Sequence, residues 1–502
     1  MTLRSFTLYD QIERNARIHC SRPAYMAEGR RVTYAEYARR VTKLASGLAA
    51  ADVVIGDRIA ILAHNCSTYI DLFGAAARLG AIVVPINWRL SAEEVAYVLT
   101  DTAPKVLIAA TDLQSLVGAA QVPQMQRFST DSSAAPGWRP VEALYPDVPA
   151  APSAYIDDNA GLAIVHTAAV GGHPQGALLS HRGLLTAAAH AARSWGLTPQ
   201  DVQIGVLPLF HLAGIGMLLA LQTAGGATLV LPRFDPKTVV ELIDREGGSI
   251  MGSFPPMLAG VLDAAAAAGS PLQTLRVISG IEAPETLARF AAVCPHADFW
   301  VSYGQTETSG SVSRARYVDR PGSAGRPIEQ HVVAILDDED RPVSTGDTGE
   351  IAVRGPMVFL GYWNRAEDNA FTFRNGWHHT GDMGRLDDDG FLWYMGRSAA
   401  KELIKPGGEN VYPAEVERAL CEHPSVAAAV VFGVLDAQWG EAVKAVCEIR
   451  PGATVTPEAL IEFVAQRIAR YKKPKHVTFV AALPRVAGDK IDRAAVKSAH
   501  GD

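Results

Sequence analysis

No two of the five cysteines (Cys20, Cys66, Cys294, Cys421, Cys447) stand at CxxC or CxxH spacing. That excludes a zinc ribbon and a disulfide frame, and reads as reduced thiols. Basic residues are not in excess either. Lys and Arg number 46 against 53 Asp and Glu, a formal net charge of −7, whereas a general nucleic-acid binder shows a basic face. No nucleic-acid partner is expected. Long hydrophobic runs are absent too. The least polar stretch, residues 213–231, is broken by Gln222 and Gly225-Gly226, so helix, turn and buried strand is expected there rather than a membrane span. The opening Met1-Thr2-Leu3-Arg4-Ser5-Phe6 lacks the apolar segment of a secretory signal. A soluble, cytoplasmic chain is expected. Neither an internal repeat nor a GxxxxGK[ST] phosphate loop is found.

What is there is ample material for burial. At 502 residues and 48% hydrophobic, the chain is too long for one ordinary core and implies two or more domains. Residues 34–50 carry helical spacing, residues 57–62 read as a buried strand, and helix 69–79 runs into strand 81–86. Strands are expected again near 106–109, 163–166, 203–207 and 227–231, with a helix near 184–194. Such alternation predicts parallel α/β layers. Residues 132–152, rich in Pro, Ala and Ser, read as a surface connection. From 324 to 394 the texture becomes short β-like runs between Asp, Gly and Pro, a smaller β-rich unit. After Arg397 a helix at 413–420, a strand at 426–433 and a helix at 457–469 suffice for a separate domain. The expected division is 1–397, a hinge at 398–402, and a small mobile α+β domain at 403–502.

Several strings carry chemistry. Ile164-Val165-His166-Thr167 leads into a loop holding Gly171, Gly172 and Gly176, where missing side chains let backbone N–H groups approach phosphate. Val301-Ser302-Tyr303-Gly304-Gln305-Thr306-Glu307 presents an aromatic ring, hydroxyls and a carboxylate at a strand end. Ile278-Ser279-Gly280-Ile281-Glu282-Ala283 and His379-Thr380-Gly381-Asp382 are turns, and Arg397 precedes the hinge. The pair His378-His379 does not make a metal site, because adjacent side chains diverge on a strand. Near the end stand Gly407-Gly408-Glu409-Asn410, Trp439-Gly440-Glu441, and Pro484-Arg485-Val486-Ala487-Gly488-Asp489-Lys490-Ile491-Asp492-Arg493.

Together these strings resemble the acyl-CoA synthetase branch of the adenylate-forming enzymes, from about Phe6 to Arg493. The resemblance implies ATP, CoA and Mg²⁺, a small carboxylic acid as substrate, and no membrane span; a homodimer is left open. It implies that Thr167, Gly171, Gly172 and Gly176 hold phosphate, that Gly280, Glu282 and Ala283 form the adenine turn, and that Ser302 and Tyr303 border the base. Thr306 would contact the α-phosphate and Glu307 would bind Mg²⁺, while Asp382 and Arg397 would take the ribose. Lys401 corresponds to the hinge residue, with Glu402 second, and Lys490 to the catalytic lysine of adenylation. Lys405, Gly407, Gly408 and Trp439 would border the pantetheine tunnel, with Tyr471-Lys472-Lys473-Pro474-Lys475 as a basic patch for CoA phosphates. His211, after Leu207-Pro208-Leu209-Phe210, would stand at the acyl entrance, with Phe254 and residues 278–281 as apolar walls. That favours an aliphatic or aromatic acid over a dicarboxylic or amino acid. Two positions depart from the family form: Gln175 stands where lysine is usual, and Asp489 precedes Lys490 where glycine is usual. The expected activity is a two-step acid–CoA ligase. The alternatives are an acyl-AMP ligase that loads a carrier protein and a silent acyl- or nucleotide-binding homologue.

Overall fold

Short polar side chains open the helices. Thr7, Thr33, Ser91 and Ser180 each accept from the backbone N–H three residues on, which satisfies donors that the first helical turn leaves unpaired. They begin helices Leu8–Ile18, Tyr34–Ala50, Ala92–Thr102 and His181–Ser194. The apolar stretch after His211 becomes helix Leu212–Ala224, and Gly225 at φ 78° turns it into the buried strand Ala227–Val230. Only a residue without Cβ enters that left-handed conformation cheaply.

The computed structural model describes residues 5–118, 125–131, 135–147, 155–167, 174–397, 403–486 and 490–501. Two large sheets form most of the N-terminal domain. In the nine-stranded one, strands Pro23–Ala27, Ala227–Val230, Val202–Gly205, Ile250–Ser253, Val277–Gly280 and Asp298–Tyr303 run parallel, with antiparallel edges. In the eight-stranded one, a parallel core including Arg58–Leu62, Ile82–Pro85 and Val106–Ala109 meets Gly161–Thr167. That strand turns back antiparallel as Gln175–Ser180. A four-stranded antiparallel sheet, Val332–Leu336, Gly349–Arg354, His378–Leu386 and Leu392–Arg397, is the β-rich part.

The C-terminal domain is a three-stranded sheet, Val426–Asp436, Gly440–Ile449 and His476–Val480. Alternation sorts its two faces. Ala429, Val431, Val443 and Ala445 pack with Val416, Leu460 and Val464 from helices Pro413–Cys421 and Pro457–Ala465. Val430, Phe432 and Val446 pack with Leu483 and Val496. The fold is therefore mixed α/β, a large N-terminal domain followed by a smaller α+β one.

Two details differ from the sequence expectations. Within 132–152 the chain does more than connect: Arg139–Pro140 adds an edge strand, and Val141 and Leu144 are buried. The Leu144 carbonyl lies so close to Gly47 that a Cβ there would come within 2.1 Å of it. The second difference is that the helix expected to reach 469 ends at Ala465, because the chain turns to dock. Ala469 N–H donates to Glu94 Oε2 at 3.1 Å, and the Lys472 ammonium bonds Glu94 Oε1 and, at 2.7 Å, Glu415 Oε1.

Lys472 is 1% exposed, so the basic patch read at 471–475 is corrected. Its central cation is enclosed between domains, and Lys475 is paired with Asp436. Burial opposes the Lys472 charge, but the two carboxylates outweigh it and raise its pKa. Removing one member of such a group leaves charge buried without compensation. Lys472→Met is expected to cost ~3–5 kcal/mol in urea unfolding. It should also speed proteolytic cleavage after residue 397.

Candidate active site

Three segments meet around one carboxylate. Glu307 lies in the short 3₁₀ turn Thr306–Thr308, which follows strand Asp298–Tyr303, and it is buried. Its Oε1 accepts from Tyr362 OH at 2.8 Å and Thr167 Oγ1 at 3.3 Å. Its carbonyl accepts from Phe359 N–H at 2.8 Å. Burial, then the neighbouring Glu307 charge, pushes the Tyr362 phenol far up, so it stays a donor. One carboxylate oxygen is thus fixed by two hydroxyls, beside the mouth of the glycine loop.

A second buried carboxylate lies across the site. Asp382 Oδ2 accepts from Tyr303 OH at 2.8 Å and Gln305 Nε2 at 2.5 Å, and Gln305 Nε2 also reaches Thr380 O at 2.9 Å. Tyr303 lies 6.0 Å, ring to ring, from Tyr394. Arg397 is the strand partner of Asp382 and donates to Leu403 O. Tyr303, Thr306, Glu307, Asp382 and Arg397 therefore come together, with Ser302 one residue before the ring. Gln305 and Tyr362 were missed as individuals. Gln305 stood inside the quoted motif, but Tyr362 carried no local signal, because strand Gly361–Tyr362 reaches the site only by pairing with Gln175–Ser180.

The other side of the cleft joins the two domains. His211, the N-cap residue of Leu212–Ala224, places Nε2 at 3.1 Å from Glu409 Oε2, and Arg89 bonds Glu409 Oε1. The Arg89 guanidinium also lies over the Trp88 and Phe210 rings. Burial disfavours the Glu409 charge, but His211 and Arg89 outweigh it and lower its pKa. The two glycines before it, at φ 58° and 86°, adopt left-handed backbone. A Cβ on Gly408 would stand 3.4 Å from the Phe254 ring, and one on Gly407 would be 2.9 Å from Trp439. The Lys405 N–H donates to Glu441 at 2.5 Å, and Trp439 is half-exposed. A narrow cavity of about 60 Å³ lies between His166, Thr167, Thr306, His211, Glu409 and Asn410.

Other candidates are placed differently. Gly176 is a strand residue opposite His166, where a Cβ would lie 2.5 Å from Ile164. Gly280 is pressed against the Ser253 carbonyl, 1.7 Å from where a Cβ would be. Glu282 is turned away: its carboxylate accepts from Ser253 Oγ at 2.6 Å and Leu258 N–H at 3.3 Å, leaving the backbone up to Ala283 to form the turn. His378 and His379 go to separate partners, Thr372 and Glu350. Gly171, Gly172, the hinge at 398–402 with Lys401, and the side chain of Lys490 lie outside the described residues. Lys490 itself pairs with Val486 in a hairpin whose flanks are tied to Glu448 and Glu417 of the C-terminal domain.

The donor set fits a hard cation in one way. No group of three or more His, Cys, Asp or Glu able to hold a metal occurs among the described residues. Beside Thr167 and Thr306, Glu307 offers one buried carboxylate, which suits Mg²⁺ carried in on phosphates rather than caged by protein.

Residues 12–363 match the family model described as AMP-binding enzyme, and residues 415–490 match its C-terminal domain. The chain belongs to the AMP-binding enzyme family. A feruloyl-CoA synthase of an Amycolatopsis species is 34% identical over 494 residues, 97% of this chain and 98% of that one. An indoleacetate–CoA ligase of Aromatoleum aromaticum is 35% identical over 497 residues, 96% of each. Among solved structures, a double mutant of o-succinylbenzoate CoA synthetase from Bacillus subtilis superposes with TM-score 0.85 and 29% identity, covering 97% of this chain and 98% of its own. This AMP-binding enzyme departs from the usual loop lysine at Gln175, and the structure shows what Gln175 does instead. Its Nε2 donates to Asp368 Oδ2 at 2.6 Å.

A lysine at 175 would be claimed by Asp368. Gln175→Lys alone is expected to lower the KM for ATP by no more than about threefold, the scale of a surface ion pair. Gln175→Lys with Asp368→Asn should lower it further in steady-state kinetics. The Glu409 contact carries its own pH signature. A lowered carboxylate pKa gives stability that is complete above about pH 4.3 and is lost as pH falls through the lowered value. Glu409→Gln should flatten that acid limb in thermal unfolding.

Proposed function

We propose that this AMP-binding enzyme is an AMP-forming ligase that joins a fatty or aromatic carboxylic acid to CoA in the cytoplasm. No helix among the described residues is long and apolar enough to cross a membrane. The observation that carries the reading is the seat of Gly407-Gly408-Glu409. A turn whose two glycines bear no side chain, delivered by the C-terminal domain, rests against Phe254 and is fastened through Glu409 to His211. It forms a wall beside which a thin thiol arm can reach the acyl carbon.

In the first half-reaction a carboxylate oxygen of the acid bonds the α-phosphorus and pyrophosphate leaves with the old P–O bond. Thr306 and the backbone of the glycine loop hold the phosphates, and Tyr303, Asp382 and Arg397 hold base and ribose. Glu307 is the residue that would hold Mg²⁺, whose charge offsets that of the phosphates. Tyr362 and Thr167 keep its carboxylate oriented. Lys490 bridges the attacking carboxylate and the α-phosphate, stabilising charge that grows on the nonbridging oxygens.

In the second half the CoA sulfur bonds the acyl carbon, the bond from that carbon to the phosphate oxygen breaks with its electron pair on AMP, and the thiol proton passes to solvent. The arrangement described here suits this half. Lys490 rides on a hairpin anchored in the C-terminal domain, so its approach to the phosphates follows that domain, with residues 398–402 as the proposed hinge.

AMP release in an ATP- and CoA-dependent screen of short, medium, branched and aromatic acids tests the ligase reading. No release with any acid rejects it, and hydroxamate without thioester points to a carrier-protein acceptor. Lys490→Ala is expected to depress acyl-AMP formation by roughly 10²–10³-fold while sparing thioester formation from supplied acyl-AMP. Equal loss in both halves would sink the two-arrangement mechanism.

A further inference from the structure

One partly buried cation of the N-terminal domain, Arg314, is held by neutral groups. Arg314 stands on strand Ser313–Arg316 as the cross-strand partner of Ser302. Its Nη2 donates to Ser311 Oγ at 3.0 Å, and its Nη1 lies 3.5 Å from His190 Nδ1. The guanidinium carbon is 4.9 Å from the Trp195 ring centroid. Its Nε is buried without a hydrogen-bond partner, and no ion pair to it occurs among the described residues. Burial pulls its pKa down to about 10. The indole Nε1 atoms of Trp195 and Trp300 are also buried and unpartnered. Buried donors are ordinarily satisfied, and a buried charge is ordinarily paired. Here three donors from three residues are left over in one region.

That region packs against Phe254, the ring expected to wall the acyl side. Trp195 and Trp300 pack in one cluster with Phe254, Leu207 and Met217, and Phe254 is the ring on which Gly408 rests. Helix Leu212–Ala224 links this cluster to His211. Its positions Ala213, Gly216, Met217 and Ala220 recur at i, i+3, i+4 and i+7 and share one face. At the His211 end that face is open: Ala213 is exposed, and a Cβ on Gly216 would meet nothing within 4 Å. At the far end Met217 and Ala220 are buried in the Trp195 cluster. From Ala213 to Ala220 the helix rises roughly 10 Å, a distance comparable to the length of one ring or a medium chain.

We propose that Arg314, with the Trp195 and Trp300 indoles, is a specificity site for the far end of the acyl substrate and takes an anionic oxygen group there, a second carboxylate. The assignment rests on the ligase reading for its reaction, though not for its binding. It revises the expectation that an apolar wall disfavours dicarboxylic acids: the walls are apolar and the end is cationic. A guanidinium presents parallel donors to a carboxylate, and such charge-assisted bonds are the strong ones. An apolar end group in the same place would leave every one of these donors unmet.

The test compares 4-carboxycinnamate, 4-hydroxycinnamate and 4-methylcinnamate, similar bodies with different far ends. The wild-type enzyme is expected to favour the carboxy over the methyl acid by roughly 10- to 100-fold in kcat/KM. Arg314→Met is expected to invert that ratio. A wild-type preference for the hydroxy or methyl acid overturns the proposal, and so does an equal fall for all three acids in Arg314→Met. Calorimetric titration of the wild-type protein with each acid, without ATP, reads the same preference should the variant not fold. Equal affinities would overturn the proposal. Selective binding of the dicarboxylate without AMP release from any acid would reject the ligase reading and leave the site standing.

Discussion

The arrangement of the two domains depends on an ammonium enclosed between two carboxylates. Lys472 is carried by the C-terminal domain, Glu415 belongs to the same domain, and Glu94 projects from helix Ala92–Thr102 of the other. Such a group is poor as glue, because desolvation consumes much of the Coulomb gain. Its value lies in direction. Apolar surfaces tolerate sliding, whereas a buried ammonium between two fixed carboxylates tolerates little. With Ala469 tied to the same Glu94, the register between domains is set, and the Gly407-Gly408-Glu409 turn falls against Phe254 and His211 as a result.

Much of the fold was legible because the signals were local. Alternating apolar strands and helices announced the α/β layers, and the end of helix Leu212–Ala224 was written in Gly225. That Ser302, Tyr303, Thr306 and Glu307 share one cleft was legible for a similar reason: they lie within one string. The remainder depended on distant pairing. Tyr362 reaches Glu307 across 55 residues, and Lys472 reaches Glu94 across 378. No local periodicity reports such meetings. Lys472 was misread as surface because its neighbours in sequence are basic, while its neighbours in space are acidic. Glu94 did leave one trace, the Ser91-x-x-Glu94 capping box, but a cap signature does not tell that the same carboxylate will also anchor another domain.

The cleft around Glu307 and Asp382 follows a different economy, in which each polar group serves another. Tyr362 and Thr167 fix one oxygen of Glu307, and Tyr303 and Gln305 fix one of Asp382. The carboxylates are thereby each held in one orientation. Gln175 shows the opposite tendency. Bound to Asp368, it is part of the scaffold at a place where a mobile cation is usual.

Arg397 carries one more consequence. It ends the last strand of the N-terminal domain beside Asp382, and it donates to Leu403 O on the far side of residues 398–402. The guanidinium therefore staples both ends of the linker together. Any swing of the small domain that displaces Leu403 has to strip this bond and free a donor next to Asp382. Displacement of Leu403 and release of a donor beside Asp382 are in that sense one event.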